Sequence, residues 1–263
     1  MRRQLATFTL LAFAVLAASA AAKIREYEII QKGDLRVKFG AEFKPSTLPR
    51  ARPAPITVEV AGAISTTDGS HPPPLRRLEM EINRHGRLET TGLPTCTAPL
   101  LQSTTTKEAL ARCGDARVGS GGFRAELALG VGKDVPATGK VTVFNSRHDG
   151  KPSLLVHLFI GVPVRVTMIV PITIGHKEKG DYGTVLRARV PKLGGGLGSV
   201  TEIDLELGRR YAFGGKRRSY LSAACSAPQG IGSVPFPFLR GKFRFEAHRK
   251  IVAPLLKSCT VRG

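Results

Sequence analysis

The 263-residue chain has no tryptophan, only three methionines and half as many acidic as basic residues. The absence of tryptophan disfavours a carbohydrate-binding surface built on large aromatic platforms. The Gly-x-Ser-x-Gly, Ser-x-x-Lys and His-Glu-x-x-His motifs of hydrolases are absent, as is an EF-hand loop. No cysteine pair has metal-ligand spacing, and neither have His71, His85, His176 and His248. We therefore predict no catalytic residue, no metal site and no cofactor.

Beyond the N-terminus, no stretch is long and apolar enough to cross a bilayer. At the N-terminus, Arg2 and Arg3 precede an apolar run that ends in small residues, the pattern of a cleaved secretory signal. We predict a signal peptide over residues 1–22 and a single β-rich secreted domain over 23–263, with no transmembrane span after cleavage. The protein is then extracellular, or periplasmic if the host has an outer membrane.

Basic residues dominate the charge, with 40 Lys and Arg against 20 Asp and Glu. Cleavage of the signal peptide removes two arginines, which leaves 38 basic and 20 acidic residues and a net charge of +18. Such a chain is attracted to anionic surfaces, and we expect an envelope polymer or lipid surface as partner, without specific nucleic-acid binding. Alternatively, the charge serves solubility or reflects arginine-rich codon usage.

The four cysteines, Cys96, Cys113, Cys225 and Cys259, fit an oxidising compartment. They allow three pairings. We favour Cys96–Cys113 and Cys225–Cys259, since each pair is nearest in sequence. The first would close a short helical excursion, and the second would tie a hairpin to the last strand.

Most of the chain alternates apolar and polar residues between Gly- and Pro-containing turns, as strands do. Asp34–Phe39 and Leu78–Ile82 are clear examples. Segments 154–160 and 164–174 are apolar on both faces, which is typical of central buried strands. We predict an all-β fold, a large antiparallel β-sandwich or barrel-like domain with one short helix, stapled by disulfides.

The short helix is predicted over 104–112, where Thr105 and Glu108 have capping-box spacing. It ends beside Cys113 and should act as a disulfide-clamped plug or edge cover. The glycine-rich segment 119–122 lacks the lysine of a phosphate-binding loop, and we expect a β-turn there.

Three weaker patterns bear on catalysis. Glu202, Asp204 and Glu206 share one strand face, where they could act as general acid and base or hold calcium. We favour a solvated face beside basic neighbours, for which residues 216–218 are the candidates. His148-Asp149 could form a dyad, although no nucleophile accompanies it. His157 lies among apolar residues, where it could be a ligand or a base, and we favour a hydrogen-bonded core histidine.

A basic hairpin is predicted over 209–225, with a Gly-Gly turn at 214–215. Its charged and aromatic residues could hold phosphates or carboxylates, with the tyrosines stacking, or could merely solvate an edge. The candidate binding residues are Arg209, Arg210, Tyr211, Lys216, Arg217, Arg218 and Tyr220.

Several segments together resemble secreted β-rich proteins of actinobacteria, to which no activity is assigned. They are Pro73–Arg77, Asn83–Arg87, Gly92–Cys96, Lys140–Asn145, Arg210–Cys225 and Ser258–Arg262. The resemblance spans most of the mature chain and implies secretion and a shared fold, and no reaction.

Three functions follow as hypotheses. The first is a secreted, non-enzymatic protein that acts at an anionic envelope or extracellular surface through a basic face. The second is a carrier that holds a hydrophobic ligand in a β-lined cavity, formed by the apolar rows at 154–160 and 164–174. The third is a hydrolase that uses Glu202, Asp204 or His148, which requires a cleft that brings these residues together.

Overall fold

The computed structural model describes residues 26–128, 134–193, 195–196 and 198–262. The predicted signal peptide, residues 1–22, lies outside the described residues. The strands are β1 (Glu28–Lys32), β2 (Leu35–Lys44), β3 (Thr47–Leu48), β4 (Ala54–Pro55), β5 (Thr57–Thr66), β6 (Leu75–Asn83), β7 (Gly86–Leu88), β8 (Arg117–Leu127), β9 (Val135–His148), β10 (Lys151–Ile160), β11 (Val166–His176), β12 (Tyr182–Arg189), β13 (Gly198–Leu207), β14 (Arg210–Phe213), β15 (Lys216–Ser219), β16 (Leu221–Ala223), β17 (Ser233–Phe245) and β18 (Lys250–Val261). The helices are α1 (Ala98–Leu101), a single turn, and α2 (Thr106–Cys113).

Thirteen of the described strands form one sheet in the order β1-β2-β5-β13-β8-β9-β10-β11-β12-β6-β17-β18-β3. Neighbours pair antiparallel, except that the short β3 runs parallel to β18. A second sheet, β4-β16-β7, and the isolated hairpin β14-β15 complete the architecture. The segments predicted to be apolar on both faces, 154–160 and 164–174, form most of β10 and of β11 in the middle of the large sheet, as predicted.

The large sheet curls so that one face encloses the core. Along β10, Leu154, Val156 and Leu158 point inward and belong to this core, while Leu155 and His157 point outward. This follows from the two-residue period of a strand. The sheet thus has an apolar inner face and an outer face that is largely polar.

The two ends of the curled sheet meet along a seam between β1, β2 and β18. Lys257 Nζ lies 2.9 Å from Glu26 Oε2, and Arg249 Nη1 donates to Asp34 Oδ2 at 3.2 Å. Inside the seam, the rings of Phe39 and Phe243 pack edge to face with centroids 5.5 Å apart. Charged contacts outside and aromatic contacts inside therefore hold the curl.

The helical excursion covers the outer face of β9 and β10. Thr105 and Glu108 form the predicted capping box, in which each side chain bonds the backbone N–H of the other. The buried residues Leu101, Phe144 and Leu155 join this excursion to the sheet. The excursion therefore covers one face of the sheet, whereas the sequence analysis predicted either a plug or a cover for a sheet edge.

The predicted disulfides, Cys96–Cys113 and Cys225–Cys259, are both present. The all-β prediction is confirmed in its barrel-like form, as one large curled sheet with a short helix.

The β-turn expected over residues 119–122 is wrong, because these residues lie inside β8. Their lack of side chains permits close approach of β13: a Cβ atom at Gly121 would collide with the carbonyl oxygen of Asp204. The glycines thus serve strand packing.

Among the described residues, no helix is long and apolar enough to span a membrane.

Candidate functional site: an apolar cavity and a basic outer face

The predicted basic hairpin forms around its Gly-Gly turn, and both glycines have positive φ. Several of its candidate binding residues are held by the protein itself. Arg209 donates from Nη1 to the carbonyl oxygens of Asp115 at 2.6 Å and Arg117 at 2.9 Å. The Tyr211 hydroxyl donates to the carbonyl of Thr91 at 2.9 Å. Both side chains therefore fasten the hairpin to the body of the protein.

Arg218 and Tyr220 are also engaged or buried. Arg218 lies 3.3 Å from Glu89 Oε2, and its guanidinium lies 5.5 Å from the ring centre of Phe213. Tyr220 is only 1% exposed and belongs to the core. The exposed basic residues of the hairpin are thus Arg210, Lys216 and Arg217.

The acidic face of β13 takes other partners than the sequence indicated. Glu202 lies 3.5 Å from Arg124, and Asp204 Oδ2 accepts the N–H of Gly122 at 3.1 Å. The expected cross-strand pairing with residues 216–218 is wrong, because β13 lies between β5 and β8 and the hairpin forms its own sheet.

The histidines singled out in the sequence have structural or solvent-exposed positions. His157 is fully buried, and its Nε2 lies 3.1 Å from both the hydroxyl and the carbonyl oxygen of Thr104. Burial lowers its pKa, which agrees with the core-histidine interpretation. His148 is exposed and lies 3.5 Å from Asp149. None of Glu202, Asp204 and His148 lines the apolar cavity inside the curled sheet or the polar pocket beside His71.

An apolar cavity of about 200 Å³ lies inside the curled sheet. Strands β2, β5, β6, β10, β11, β12, β13 and β17 all contribute inward-facing side chains to its wall. Met80, Ile203 and Leu205 face this cavity and are only partly buried, although they lie on the inner face of the sheet. The two predicted apolar rows contribute Leu154, Val156 and Ile172. The inner face is therefore not filled by its own side chains.

One polar group inside the wall has no partner. Tyr220 lines the cavity, and its buried hydroxyl makes no hydrogen bond to any described residue. Burial strongly raises its pKa, so the hydroxyl stays protonated. An unpaired buried hydroxyl costs free energy that a hydrogen-bonding partner would recover.

The cavity reaches the end of the curled sheet that the second sheet covers. Residues 222–224 of β16 and its continuation line it there, together with the β6–β7 turn. His85 on this turn and Arg87 on β7 are exposed and also belong to the lining. The opening thus carries a cationic residue and an imidazole at the edge of an otherwise apolar wall.

A row of four cations crosses the outer face of the large sheet. Arg189 on β12 lies opposite Arg77 on β6, Arg77 lies opposite Arg244 on β17, and Arg244 lies opposite Lys250 on β18. All four are exposed, and no described acidic residue lies within ion-pair distance of them. We call these residues the basic row. Like charges directly opposite one another on adjacent strands destabilise a sheet, and a bound anion relieves this repulsion.

Beside the basic row, the cations are paired with carboxylates of the protein. Glu81 is fully buried on the outer face, beneath Lys177, Arg240 and Lys242. Burial alone would raise its pKa, but hydrogen bonds from these three cations outweigh it and lower the pKa to about 2. Glu79 bridges Lys242 at 2.8 Å and Arg187 at 2.9 Å. The contrast sets the unpaired basic row apart from its surroundings.

Sequence reasoning missed the basic row because its members come from four separate strands. Arg77 stands beside Arg76 and Lys250 beside Arg249, but nothing in the sequence links these pairs to each other or to Arg189 and Arg244. The signal would have been the strand pairing itself, which local alternation does not reveal.

No protein-family model matches the chain, and no similar curated protein or solved structure is found. The structure alone therefore defines the class of protein, which is a disulfide-stapled all-β protein with an apolar cavity inside a single curled sheet. The resemblance to secreted actinobacterial proteins stays a prediction.

Proposed function

We propose that this protein is a non-enzymatic extracellular carrier that holds a single hydrophobic chain in the apolar cavity. The observation that carries the proposal is the cavity itself, whose wall is formed by inward side chains of most strands of the large sheet. Well-packed interiors rarely leave voids larger than a water molecule. An unfilled apolar space of about 200 Å³ is costly to an empty protein.

The size and polarity of the cavity define the ligand class. Its volume exceeds the roughly 150 Å³ of an apolar cavity that binds benzene, and is below the roughly 300–1,000 Å³ of drug-sized pockets. The Tyr220 hydroxyl is a donor without a partner, and Arg87 stands at the opening. We infer a medium-length alkyl chain with one oxygen-bearing or anionic end group, such as a fatty acid.

The first prediction concerns a series of saturated fatty acids of increasing length. Each methylene that enters the cavity should add about 0.8 kcal/mol, or about fourfold in affinity, until the cavity is full. Displacement of a fluorescent fatty acid from the protein measures this series. A flat dependence on chain length, or no displacement at any length, would contradict the proposal.

The matched variants are Val60→Phe and Val252→Phe. Val60 lines the cavity, and a phenyl group there should fill the space and lower affinity at least tenfold. Val252 lies on the outer face of β18, is 49% exposed, and should tolerate the same change without loss of binding. Equal losses of affinity in both valine variants would indicate unfolding or binding at the surface.

Tyr220→Phe should stabilise the empty protein by about 1 kcal/mol, since it removes an unpaired buried hydroxyl.

A second candidate function is contact with an anionic lipid surface, and the basic row favours it. Exposed Val252 and Leu256 lie on the outer face of β18, the strand that also carries Lys250. Cations beside exposed apolar side chains match the headgroup and acyl boundary of a bilayer better than a purely polar polymer. A carrier that docks there would stand next to a source of alkyl chains.

The second prediction compares two double variants on vesicles that contain phosphatidylglycerol and phosphatidylcholine. Arg77→Ser with Arg244→Ser should weaken binding about 30-fold at low salt, since each basic residue near an anionic surface contributes about 1 kcal/mol. Lys216→Ser with Arg217→Ser removes two exposed cations from the hairpin and is the matched control. Wild-type binding should fall steeply as salt rises.

A larger loss of vesicle binding in the hairpin variant would show that the hairpin predicted from the sequence, and not the basic row, contacts the membrane. Binding to purified cell-wall polymer but not to vesicles would overturn the lipid assignment.

A further inference from the structure

The cluster formed by His71, Glu126 and Asp134 lies apart from both surfaces described so far. His71 belongs to the β5–β6 connection, Glu126 lies near the end of β8, and Asp134 directly precedes β9. His71 Nε2 lies 3.6 Å from Glu126 Oε2 and 3.6 Å from Asp134 Oδ2. The three ligand atoms all lie within 4.8 Å of one another.

The charge balance of this cluster is unusual for the protein. Basic residues outnumber acidic ones two to one in the whole chain. Nevertheless, within the described part of the chain neither Glu126 nor Asp134 has a lysine or arginine within ion-pair distance. Two carboxylates that converge on one imidazole leave a local excess of negative charge, which a cation would balance.

A polar pocket of about 260 Å³ adjoins the cluster. His71 and Asp134 form part of its wall, and Lys192, Arg76 and Ser199 face the same space. Arg76 is paired with Glu246, whereas Lys192 is exposed and has no ion pair with a described residue. Any ion held by the cluster would thus be open to the pocket on one side.

We propose that His71, Glu126 and Asp134 form a Zn²⁺ site with an open coordination position that faces this pocket. Zn²⁺ takes imidazole nitrogen and carboxylate oxygen at about 2.0–2.2 Å, which places tetrahedral ligand atoms roughly 3.3 Å apart. The observed 3.6 Å separations need only a small contraction. Ca²⁺ prefers six to eight oxygen ligands and fits this donor set poorly.

Three protein ligands and an open position are the arrangement that leaves zinc able to bind water or an anion. Lys192 would add a positive charge beside that position. The site therefore fits a small anionic ligand such as a carboxylate or phosphate group. The sequence gives no sign of it, since the ligands come from three separate segments without metal-ligand spacing.

Calorimetric titration with ZnCl₂ tests the site. The full-length secreted protein should bind one equivalent, and His71→Ala and Glu126→Gln should each weaken binding at least tenfold. His148→Ala is the matched control, because it removes another exposed histidine beside a carboxylate, 3.5 Å from Asp149. The three side chains of the site are partly exposed, so these variants should fold, and circular dichroism verifies this.

Replacement of zinc by Co²⁺ provides a second readout. The Co²⁺ absorption spectrum should report one imidazole and oxygen ligands, and should shift when azide is added to the open position. No saturable zinc binding by the wild type, or an equal loss in His148→Ala, would overturn the site. An unchanged cobalt spectrum on addition of azide would overturn the open position.

Discussion

Single residues decide which charges of this basic protein are available to partners. Glu81 forms ion pairs with Lys177, Arg240 and Lys242 from a fully buried position, and Arg240 also lies 4.5 Å from the ring centre of Tyr182. A count of basic residues therefore overstates the free positive charge of this face. The basic row remains because none of its four members meets a described carboxylate.

The third prediction concerns Glu81→Gln. Because the pKa of Glu81 is lowered from 4.5 to about 2, its ionised form stabilises the fold above pH 4.5, and this contribution is lost as pH falls toward 2. At pH 7 the variant should lose on the order of 2–3 kcal/mol of unfolding free energy, and the difference from wild type should shrink below pH 4.5. Urea denaturation at several pH values measures both.

Glu79→Gln is the matched control for this prediction. Glu79 lies on the same strand and face, but its side chain is 26% exposed, so its loss should cost less. A pH-independent loss in Glu81→Gln would show that packing, and not the buried charge, is responsible.

Among the elements, the small second sheet has the most direct bearing on the proposed binding of a ligand in the cavity. Strand β16 pairs with β4 and β7 and contributes residues to the cavity wall. Directly after it, Cys225 is bonded to Cys259 of β18, and its backbone N–H donates to the carbonyl oxygen of Pro49 at 2.9 Å. The disulfide thus fixes the cover of the cavity to the large sheet.

The fourth prediction is that Cys225→Ser with Cys259→Ser speeds ligand release. The change should also cost about 2–4 kcal/mol of stability, since it removes a cross-link between residues 34 positions apart. Stopped-flow displacement of a fluorescent fatty acid measures the release rate. Cys96→Ser with Cys113→Ser should lower stability without changing release, because that disulfide lies on the outer face. If both pairs changed release equally, the second sheet would not control the opening.

At the scale of the whole molecule, local patterns predicted the elements, and pairing between distant strands produced the surfaces. Alternation located the strands, the Thr105–Glu108 capping box located α2, and nearness in sequence sufficed for both disulfides. The basic hairpin could be predicted from the sequence because its charged residues are close together in the chain. The basic row could not, because it depends on the register of strands far apart in sequence. The cluster of His71, Glu126 and Asp134 could not, because only the fold brings the β5–β6 connection beside the hairpin of β8 and β9.

The inner face illustrates the same limit. Apolar rows such as Val164–Ile174 were expected either to fill a core or to line a cavity, and alternation alone does not separate these outcomes. What decides between them is how far the curl brings opposite walls together. That distance is set by the pairings among thirteen strands, of which β18 with β3 is the only parallel one in the described sheet.

The seam between the first and last strands also has a consequence for the order of folding. Lys257 meets Glu26 and Arg249 meets Asp34, contacts that join residues more than 200 positions apart. The curl can close only once β18, the last strand of the described chain, is available to pack against β1 and β2, so closure is a late event governed by long-range contacts. Until then the apolar inner face is open along its whole length, which exposes the nascent protein to aggregation and equally to any alkyl chain nearby.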